Sequence, residues 1–354
     1  MVSGPVTGIA PGRVNLIGEH VDYNGGRCLP IALTRSTSAR VTLREDERLV
    51  VTSGPRTWEG RADALEGADS WVLYVAGVLL ALGVDQGMDI VVTSDVPVGA
   101  GLSSSAALEC SVAVAVNEVL GLGRSSEQLV EACVRAETET VGAPTGGLDQ
   151  AISVYTEAAH ALLIDFAAGT REQVPFDPGA HGLAVLVVDT KISHELTDGG
   201  YGSRRDDAWA AAEQLGLDKR ALAQATSIDG LPERLHRRAR HVVSEVGRVD
   251  DFVAALRADD WAALGPLMDA SHASLRDDYE VSCEELDVTV ETARQAGALG
   301  ARMTGGGFGG SAIALVPVER VDAVQAAVAV AFAARGWGEP DFFVAEPGGG
   351  ARVL

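Results

Sequence analysis

The chain has 354 residues, 28 of them Lys or Arg against 50 Asp or Glu, for a formal net charge of −22 at pH 7. That excess of negative charge argues against nucleic acid or an anionic membrane surface as a partner, and any anionic ligand must find compensation at helix ends, arginines or Mg2+. Hydrophobic content of 47% with only 5% aromatic residues leaves Ala, Val and Leu to build a core sized for two domains or one large one.

In chain order, residues 7–13 lead into Val14-Asn15-Leu16-Ile17-Gly18, where a short apolar run stops and a polar, turn-rich loop follows to Gly26. Strands are expected at 29–33, 39–43 and 49–52, with turns at Glu45-Asp46 and Gly54-Pro55. Trp71, Val75, Val78, Leu79 and Leu82 recur at helical spacing and end at Gly83. Within that helix core packing is favoured for Trp71 and Tyr74 over lining a nucleotide base. A β-branched run at Ile90-Val91-Val92 precedes a glycine-rich stretch and a helix over about 106–120. A second helical stretch, 127–141, is ended by Gly142-Ala143-Pro144; Thr145-Gly146-Gly147 then leads into an apolar run from Leu148 to Tyr155. Strands follow at 161–166 and 183–188, the latter a continuous apolar run fit for a sheet buried on both faces. Residues 203–273 read as mostly helical and 283–295 as a further helix. A glycine cluster at 303–311, a strand at 312–316, a helix at 321–335 and a strand at 342–344 complete the pattern. The change from strand-rich to helix-rich composition places a boundary between Phe166 and Tyr201, drawn as domains 1–180 and 181–354. Cys28, Cys110, Cys133 and Cys283 are scattered without Cys-x-x-Cys spacing and are expected as reduced, mostly buried thiols. With no secretory leader pattern and no apolar run of membrane-spanning length, the protein is expected in the cytoplasm.

The stretch Val98-Gly99-Ala100-Gly101-Leu102-Ser103-Ser104-Ser105-Ala106-Ala107 lies between strand and helix. That order suits phosphate: glycines let the backbone approach an anion, and the first N–H groups of a helix have no internal partner. Ser103, Ser104 and Ser105 add hydroxyls that can cap the helix or ligate a cation. The only lysines are Lys191 and Lys219, which excludes a P-loop. Ser104 stands where a dinucleotide fingerprint needs its last glycine, and no Gly-x-Ser-x-Gly elbow is present. A plain glycine turn before a buried helix remains the alternative. Three other groups carry reactive side chains. Arg13, Glu19, His20 and Asp22 suit recognition of several hydroxyls, or form a solvated polar loop. Glu137 sits on a helix where a surface carboxylate is the default, whereas Asp149, just after two glycines, is either a helix cap or a buried functional group. Residues 305–310 are too rich in glycine for a helix or plain strand and form either a close approach or a tight hairpin.

Residues 13–26, 98–107 and 303–310 resemble the three signature motifs of the galactokinases, within the GHMP kinase superfamily, in the same order across nearly the whole chain. The first, Gly-Arg-Val-Asn-Leu-Ile-Gly-Glu-His-Val-Asp-Tyr-Asn, is the sugar-side signature; the other two are shared more widely in the superfamily. The resemblance implies an α+β, two-domain GHMP kinase fold: an N-terminal domain with mixed sheet and helices, a C-terminal α/β sandwich, and the active site in the cleft between them. It implies ATP-dependent phosphorylation of the C1 hydroxyl of D-galactose to α-D-galactose 1-phosphate and ADP, the entry step of galactose catabolism in the Leloir pathway. Asp149 and Arg13 would be catalytic. Glu19, His20, Val21, Asp22, Gly147, Asp149 and Tyr201 would bind the sugar, and Gly99, Ala100, Gly101, Leu102, Ser103, Ser104 and Ser105 would bind ATP. Ser105 and Glu137 would ligate Mg2+. The segment Ser193-His194-Glu195-Leu196, with Tyr201, Arg204 and Arg205 after it, resembles the family's sugar-contacting stretch. Implied partners are galactose and ATP, with no nucleic acid and no membrane, in a monomer. Two rivals remain: a relative acting on N-acetylgalactosamine or arabinose, and a non-catalytic galactose sensor. Sensor paralogues lack the Ser-Ala pair that stands here as Ser105-Ala106.

Overall fold

A computed structural model describes residues 4–143, 145–193 and 200–354. Strand β1 (Val6–Asn15) is followed by β2 (Arg27–Cys28), β3 (Pro30–Leu43), β4 (Leu49–Ser53) and β5 (Arg56–Gly60). Helix α1 (Ser70–Leu82) precedes β6 (Met88–Ser94), then α2 (Ser104–Leu120), α3 (Ser126–Arg135), a π-helical turn (Ala136–Val141) and α4 (Leu148–Tyr155). A hairpin of β7 (His160–Asp165) and β8 (Thr170–Pro175) leads to β9 (Leu183–Ser193) and α5 (Gly200–Gln214). Next come α6 (Glu233–Arg257), α7 (Trp261–Ser274), a second π-helical turn (Leu275–Tyr279) and α8 (Glu284–Gln295). A hairpin of β10 (Gly300–Thr304) and β11 (Gly309–Pro317), then α9 (Val321–Ala333), β12 (Asp341–Ala345) and β13 (Arg352–Val353) complete the described chain.

These strands form three sheets. The largest has the order β13-β1-β3-β6-β4-β5, antiparallel except for the parallel β4–β6 pair. A four-stranded antiparallel sheet runs β10-β11-β9-β12, and a small one runs β2-β7-β8. Helix α2 is buried on nearly every face and lies so close to β1 that a Cβ on Gly8 would fall 2.2 Å from the Ser111 carbonyl oxygen. Its Ala- and Val-rich sequence is what such an approach requires. No helix among the described residues is long and apolar enough to cross a membrane.

Strand β9 behaves as its continuous apolar run predicts. Leu186 and Val188 pack with α5, α6 and α8 on one face, while Val185 and Val187 pack with Phe252, Ile313 and Ile31 on the other. Successive strand residues point to opposite faces, so both faces of this sheet are covered. The second of these clusters also takes in Val14, Leu16 and Ile17, and so ties the first strand of the chain to the later sheet.

Several expectations are corrected. The strands expected at 29–33 and 39–43 are one strand, β3, because polar residues 36–38 keep pairing with β1 and the buried Thr37 hydroxyl is satisfied by Ser94 at 2.8 Å. Residues 7–13, read as a lead-in, are strand. The stretch 127–141 is α-helical only to Arg135, then widens into the π-turn. Residues 203–273 divide into three helices. Strands β8 and β10 were not foreseen: β8 is mostly polar, and β10 contains the fully buried Arg302. The four cysteines are free, three of them buried.

Candidate active site

The sugar-signature loop is built by a sharp reversal. Leu16 and Ile17 plug into the core, Gly18 turns at φ 96°, and His20 adopts φ 61°. This brings Glu19, His20 and Asp22 to one cavity of about 160 Å³, lined also by Arg13, Glu137, Thr145, Gly146, Leu148, Asp149, Tyr201, Gly305 and Gly306. Glu19 Oε1 accepts from the Gly305 N–H at 2.7 Å and from the Thr304 hydroxyl at 3.1 Å, so the third motif buttresses the first. His20 Nδ1 bonds the Tyr23 hydroxyl at 2.8 Å, which meets Tyr279 at 3.0 Å, while His20 Nε2 is buried and finds no partner among the described residues. Burial, then the neighbouring His241, lowers the His20 pKa to about 3, so the ring is neutral at pH 7. Gly146 must lack a side chain, since its Cβ would stand 1.9 Å from Asp22 Oδ2.

Arg13 and Asp149 are paired in the wall of this cavity. A register shift between Pro11 and Arg13 re-aims the end of β1, and the guanidinium grips Asp149 with two bonds, Nε to Oδ1 at 2.7 Å and Nη2 to Oδ2 at 2.8 Å. Arg13 Nη1 also donates to the Gly101 carbonyl at 2.6 Å. Burial works against the Arg13 charge, but Asp149 and Glu19 outweigh it and raise its pKa. Asp149 lies in the first turn of α4 rather than capping it; Gly147, at φ 89°, holds the cap position. The Ser103 hydroxyl donates to Asp149 Oδ2 at 2.5 Å and does not cap α2. The π-turn swings Glu137 toward α2, with Ser105 Oγ 3.5 Å from Glu137 Oε1. Behind them Gln150 Nε2 bridges Glu137 Oε2 at 2.6 Å and the fully buried Glu109 Oε2 at 3.0 Å. Burial, followed by a carboxylate neighbour, raises Asp22 and Glu137 to about 7 each and Glu109 to about 10. The site therefore holds more acid than it can ionise at once.

The glycine-rich stretch is a loop with Gly99 at φ 81°, Gly101 at φ 72° and Ser103 at φ 60°. It is pressed against the third motif: Ser311 Oγ donates to the Ala100 carbonyl at 2.7 Å, and a Cβ on Gly305 would sit 2.9 Å from the Gly101 carbonyl. The glycine cluster is thus a close approach within a hairpin, and both readings left open by its sequence hold. On the far side a second cavity, about 420 Å³, is lined by Ser104, Ser105, Val98, Arg56, Trp71 and Tyr74 among others. Trp71 and Tyr74, expected in the core, are half-buried and present a face to this cavity, with the Arg56 guanidinium 5.4 Å from the Trp71 ring centre.

Most of the expected sugar-side residues meet in the first cavity. Val21 and Gly147 are the exceptions: the Val21 side chain is fully buried in the core and forms no part of the wall. Gly147 lies one residue behind the wall. Of the phosphate-loop residues, Ala100 and Leu102 are buried, and Ser104 and Ser105 reach the second cavity. Arg204 is turned away, donating to the Tyr279 and Glu280 carbonyls at 2.8 and 3.0 Å. Arg205 lines a neighbouring hollow beyond Asp22 and Tyr201. His194, Glu195 and Leu196 lie outside the described residues. Sequence reading missed Arg56, Glu109, Gln150, Thr304 and Arg302. A charged or amide residue inside an apolar run (Glu109 in α2, Arg302 in β10) was the only available signal, and it does not distinguish a working group from a buried structural one.

Two cavities meet at a glycine loop with the part-buried Arg13–Asp149 pair between them, and with this arrangement of sheets they make the fold and site of a GHMP kinase, a class that uses ATP. Family models for the GHMP kinases N-terminal domain and the GHMP kinases C-terminal region match residues 72–157 and 252–334, and the galactokinase galactose-binding signature matches residues 2–42. A galactokinase of Streptomyces coelicolor is 47% identical over 98% of this chain and 93% of its own length. One from Mycobacterium tuberculosis is 42% identical over 94% of each. The crystal structure of Lactococcus lactis galactokinase complexed with galactose superposes with a TM-score of 0.92 at 35% identity, covering 99% of this chain and 95% of that one. L. major mevalonate kinase in complex with R-mevalonate, at TM-score 0.69 and 22% identity over 96% and 95%, shares the fold. The chain belongs to the galactokinase family, and it is a sugar kinase of the two-domain α+β GHMP type.

Proposed function

We propose that this protein transfers the γ-phosphoryl group of ATP to the C1 hydroxyl of D-galactose, releasing α-D-galactose 1-phosphate and ADP at the start of galactose catabolism. The observation that carries the reading is the Arg13–Asp149 pair, held at 2.7 and 2.8 Å where the sugar-signature cavity meets the phosphate loop. Glu19, Asp22 and Tyr201 offer oxygens to sugar hydroxyls, and His20 Nε2, buried without a protein partner, offers another polar contact. Asp149 orients the C1 hydroxyl and receives its proton as the phosphorus–oxygen bond forms, while Arg13 stabilises charge on the transferring group. Backbone N–H groups of residues 99–105 cradle the phosphates, and Trp71, Tyr74 and Arg56 face the rest of the nucleotide.

Mg2+ fits the residues present. Ser105 and Glu137 are hard oxygen donors 3.5 Å apart beside the phosphate loop, and among the described residues no cluster of three His, Cys, Asp or Glu competes as a closed metal site. A Mg2+ ion supplies charge neutralisation on the ATP phosphates when bound. Burial and Asp149 raise Glu137 to about 7 and so disfavour its charge, which a cation bound there would restore. We place the protein in the cytoplasm as a monomer, with a domain boundary near residue 180; the four free thiols favour a reducing compartment.

The test is direct. Purified protein with galactose, ATP and Mg2+ should release ADP in step with galactose 1-phosphate, and EDTA should stop it. A sugar panel ranked by kcat/KM should put galactose above N-acetylgalactosamine and arabinose; no turnover of galactose would sink the reading.

A further inference from the structure

The loop that carries Glu19 and His20 is bent in a way its own sequence does not favour. Gly18 has φ 96° and His20 φ 61°, the latter in the left-handed region that side chains other than glycine disfavour. Such a bend persists only when its surroundings over-determine it. Here three successive residues, Gly18, Glu19 and His20, each have a backbone group gripped by a side chain. The Gly18 N–H donates to Glu245 Oε1 at 2.9 Å, the Glu19 carbonyl accepts from His241 Nε2 at 3.1 Å, and the His20 carbonyl accepts from Asn24 Nδ2 at 2.8 Å. Asn24 belongs to the loop itself. Glu245 and His241 do not: they come from α6, 227 and 222 residues away in sequence, and share one face of that helix one turn apart.

Both grips are themselves fixed. His241 is fully buried, with Nδ1 2.9 Å from the Ser274 hydroxyl. A carbonyl oxygen only accepts, so Nε2 carries the ring proton and Nδ1 takes the hydrogen bond of Ser274. Burial lowers the imidazole pKa to about 4, which keeps it neutral and in this tautomer at pH 7. Glu245 is fully buried as well. Burial alone would raise its carboxyl, but Arg248 at 2.6 Å, with His241 and Arg302, brings it down to about 2. The Ser271 hydroxyl donates to the same oxygen that holds Gly18, at 2.6 Å. Neither residue lines the sugar cavity, and both lie between the stretches matched by the three family models.

The geometry points to Glu245 and His241 as positioning residues for sugar recognition: from beneath the loop they hold the Gly18–Glu19 backbone so that the Glu19 carboxylate and the His20 ring face the substrate. This rests on the galactose-phosphorylating reading above. The nucleotide cavity lies on the other side of the phosphate loop and shares no wall residue with this bend, so loosening the bend weakens the sugar and leaves ATP alone.

The experiment compares His241→Phe, which removes the donor, with His241→Gln, whose amide N–H reaches close to the place of Nε2. His241→Phe should raise the galactose KM by about tenfold or more, the cost of leaving a buried carbonyl unmet, with the ATP KM within about twofold of wild type. His241→Gln should recover most of the loss. Binding of a fluorescent ATP analogue checks that each variant is folded. If His241→Phe yields no folded protein, His241→Gln is compared with His241→Asn, whose shorter amide cannot reach Glu19. A galactose KM raised only for Asn supports the proposal, and equal values overturn it. It is likewise overturned if His241→Phe leaves the galactose KM unchanged, or raises both KM values alike. Wild-type protein that fails to phosphorylate galactose at all overturns the underlying activity instead, so the two failures are distinguishable.

Discussion

Asp149 receives three donors, two from Arg13 and one from Ser103, and is thereby fixed in orientation before any substrate arrives. Asp149→Asn should lower kcat by ~10²–10⁴-fold, the range of a positioned proton acceptor, while affinity for a fluorescent ATP analogue is retained; a kcat within tenfold of wild type would remove Asp149 from the mechanism. A second consequence concerns acid. Asp22 and Glu137 are raised to about 7, so both are largely neutral below that pH and charged above it. Charged carboxylates bind sugar hydroxyls and a divalent cation better than neutral ones, so kcat/KM for galactose should fall as pH drops through 7 toward 6. A profile flat from pH 6 to 8 would contradict this. At this scale the sequence was informative where residues cluster. Arg13, Glu19, His20 and Asp22 fall within ten positions, and their joint presence signals hydroxyl recognition. Trp71 and Tyr74 pack against the core as expected and also face a cavity, because a half-buried aromatic does both.

Among the elements, the β10–β11 hairpin does the least obvious work. Its glycines allow the phosphate loop to lie against it, and its Thr304 and Gly305 hold Glu19. Gly305→Ala would place a Cβ 2.9 Å from the Gly101 carbonyl at a residue with φ 84°. It should destabilise the protein by about 1–3 kcal/mol, the usual cost of such a forced backbone, and raise the KM of both substrates, because Gly305 braces both walls. Thermal unfolding together with the two KM values checks it, and an unchanged Tm would count against the close approach. Element type was readable wherever periodicity was clean: α1, α2, β9 and α9 lie within a few residues of their expected positions. The π-turn after α3 was not readable. It adds a residue to a helical turn without any change in composition, and it is this local widening that aims Glu137 at Ser105.

On the scale of the molecule, the two larger sheets share a core. One buried cluster takes residues from β1 and β3 together with β9, β11 and α6, and Phe252 sits fully buried within it. Phe252→Ala should cost about 3–5 kcal/mol and still leave one unfolding transition by calorimetry and by far-UV signal; two separated transitions would show that the halves are held apart. This shared core was not legible, since nothing in a sequence says which apolar faces meet. The hydrogen bond from Gly305 to Glu19 spans 286 residues, and that from Gly18 to Glu245 spans 227. Contacts so far apart in the chain close late, because each demands a large loss of chain entropy before it is made. A polypeptide emerging from the ribosome carries its sugar signature long before it can hold that signature in shape, because Glu19 waits for residue 305. Galactose therefore meets a complete pocket only after residues 245 and 305 have joined the loop that precedes them.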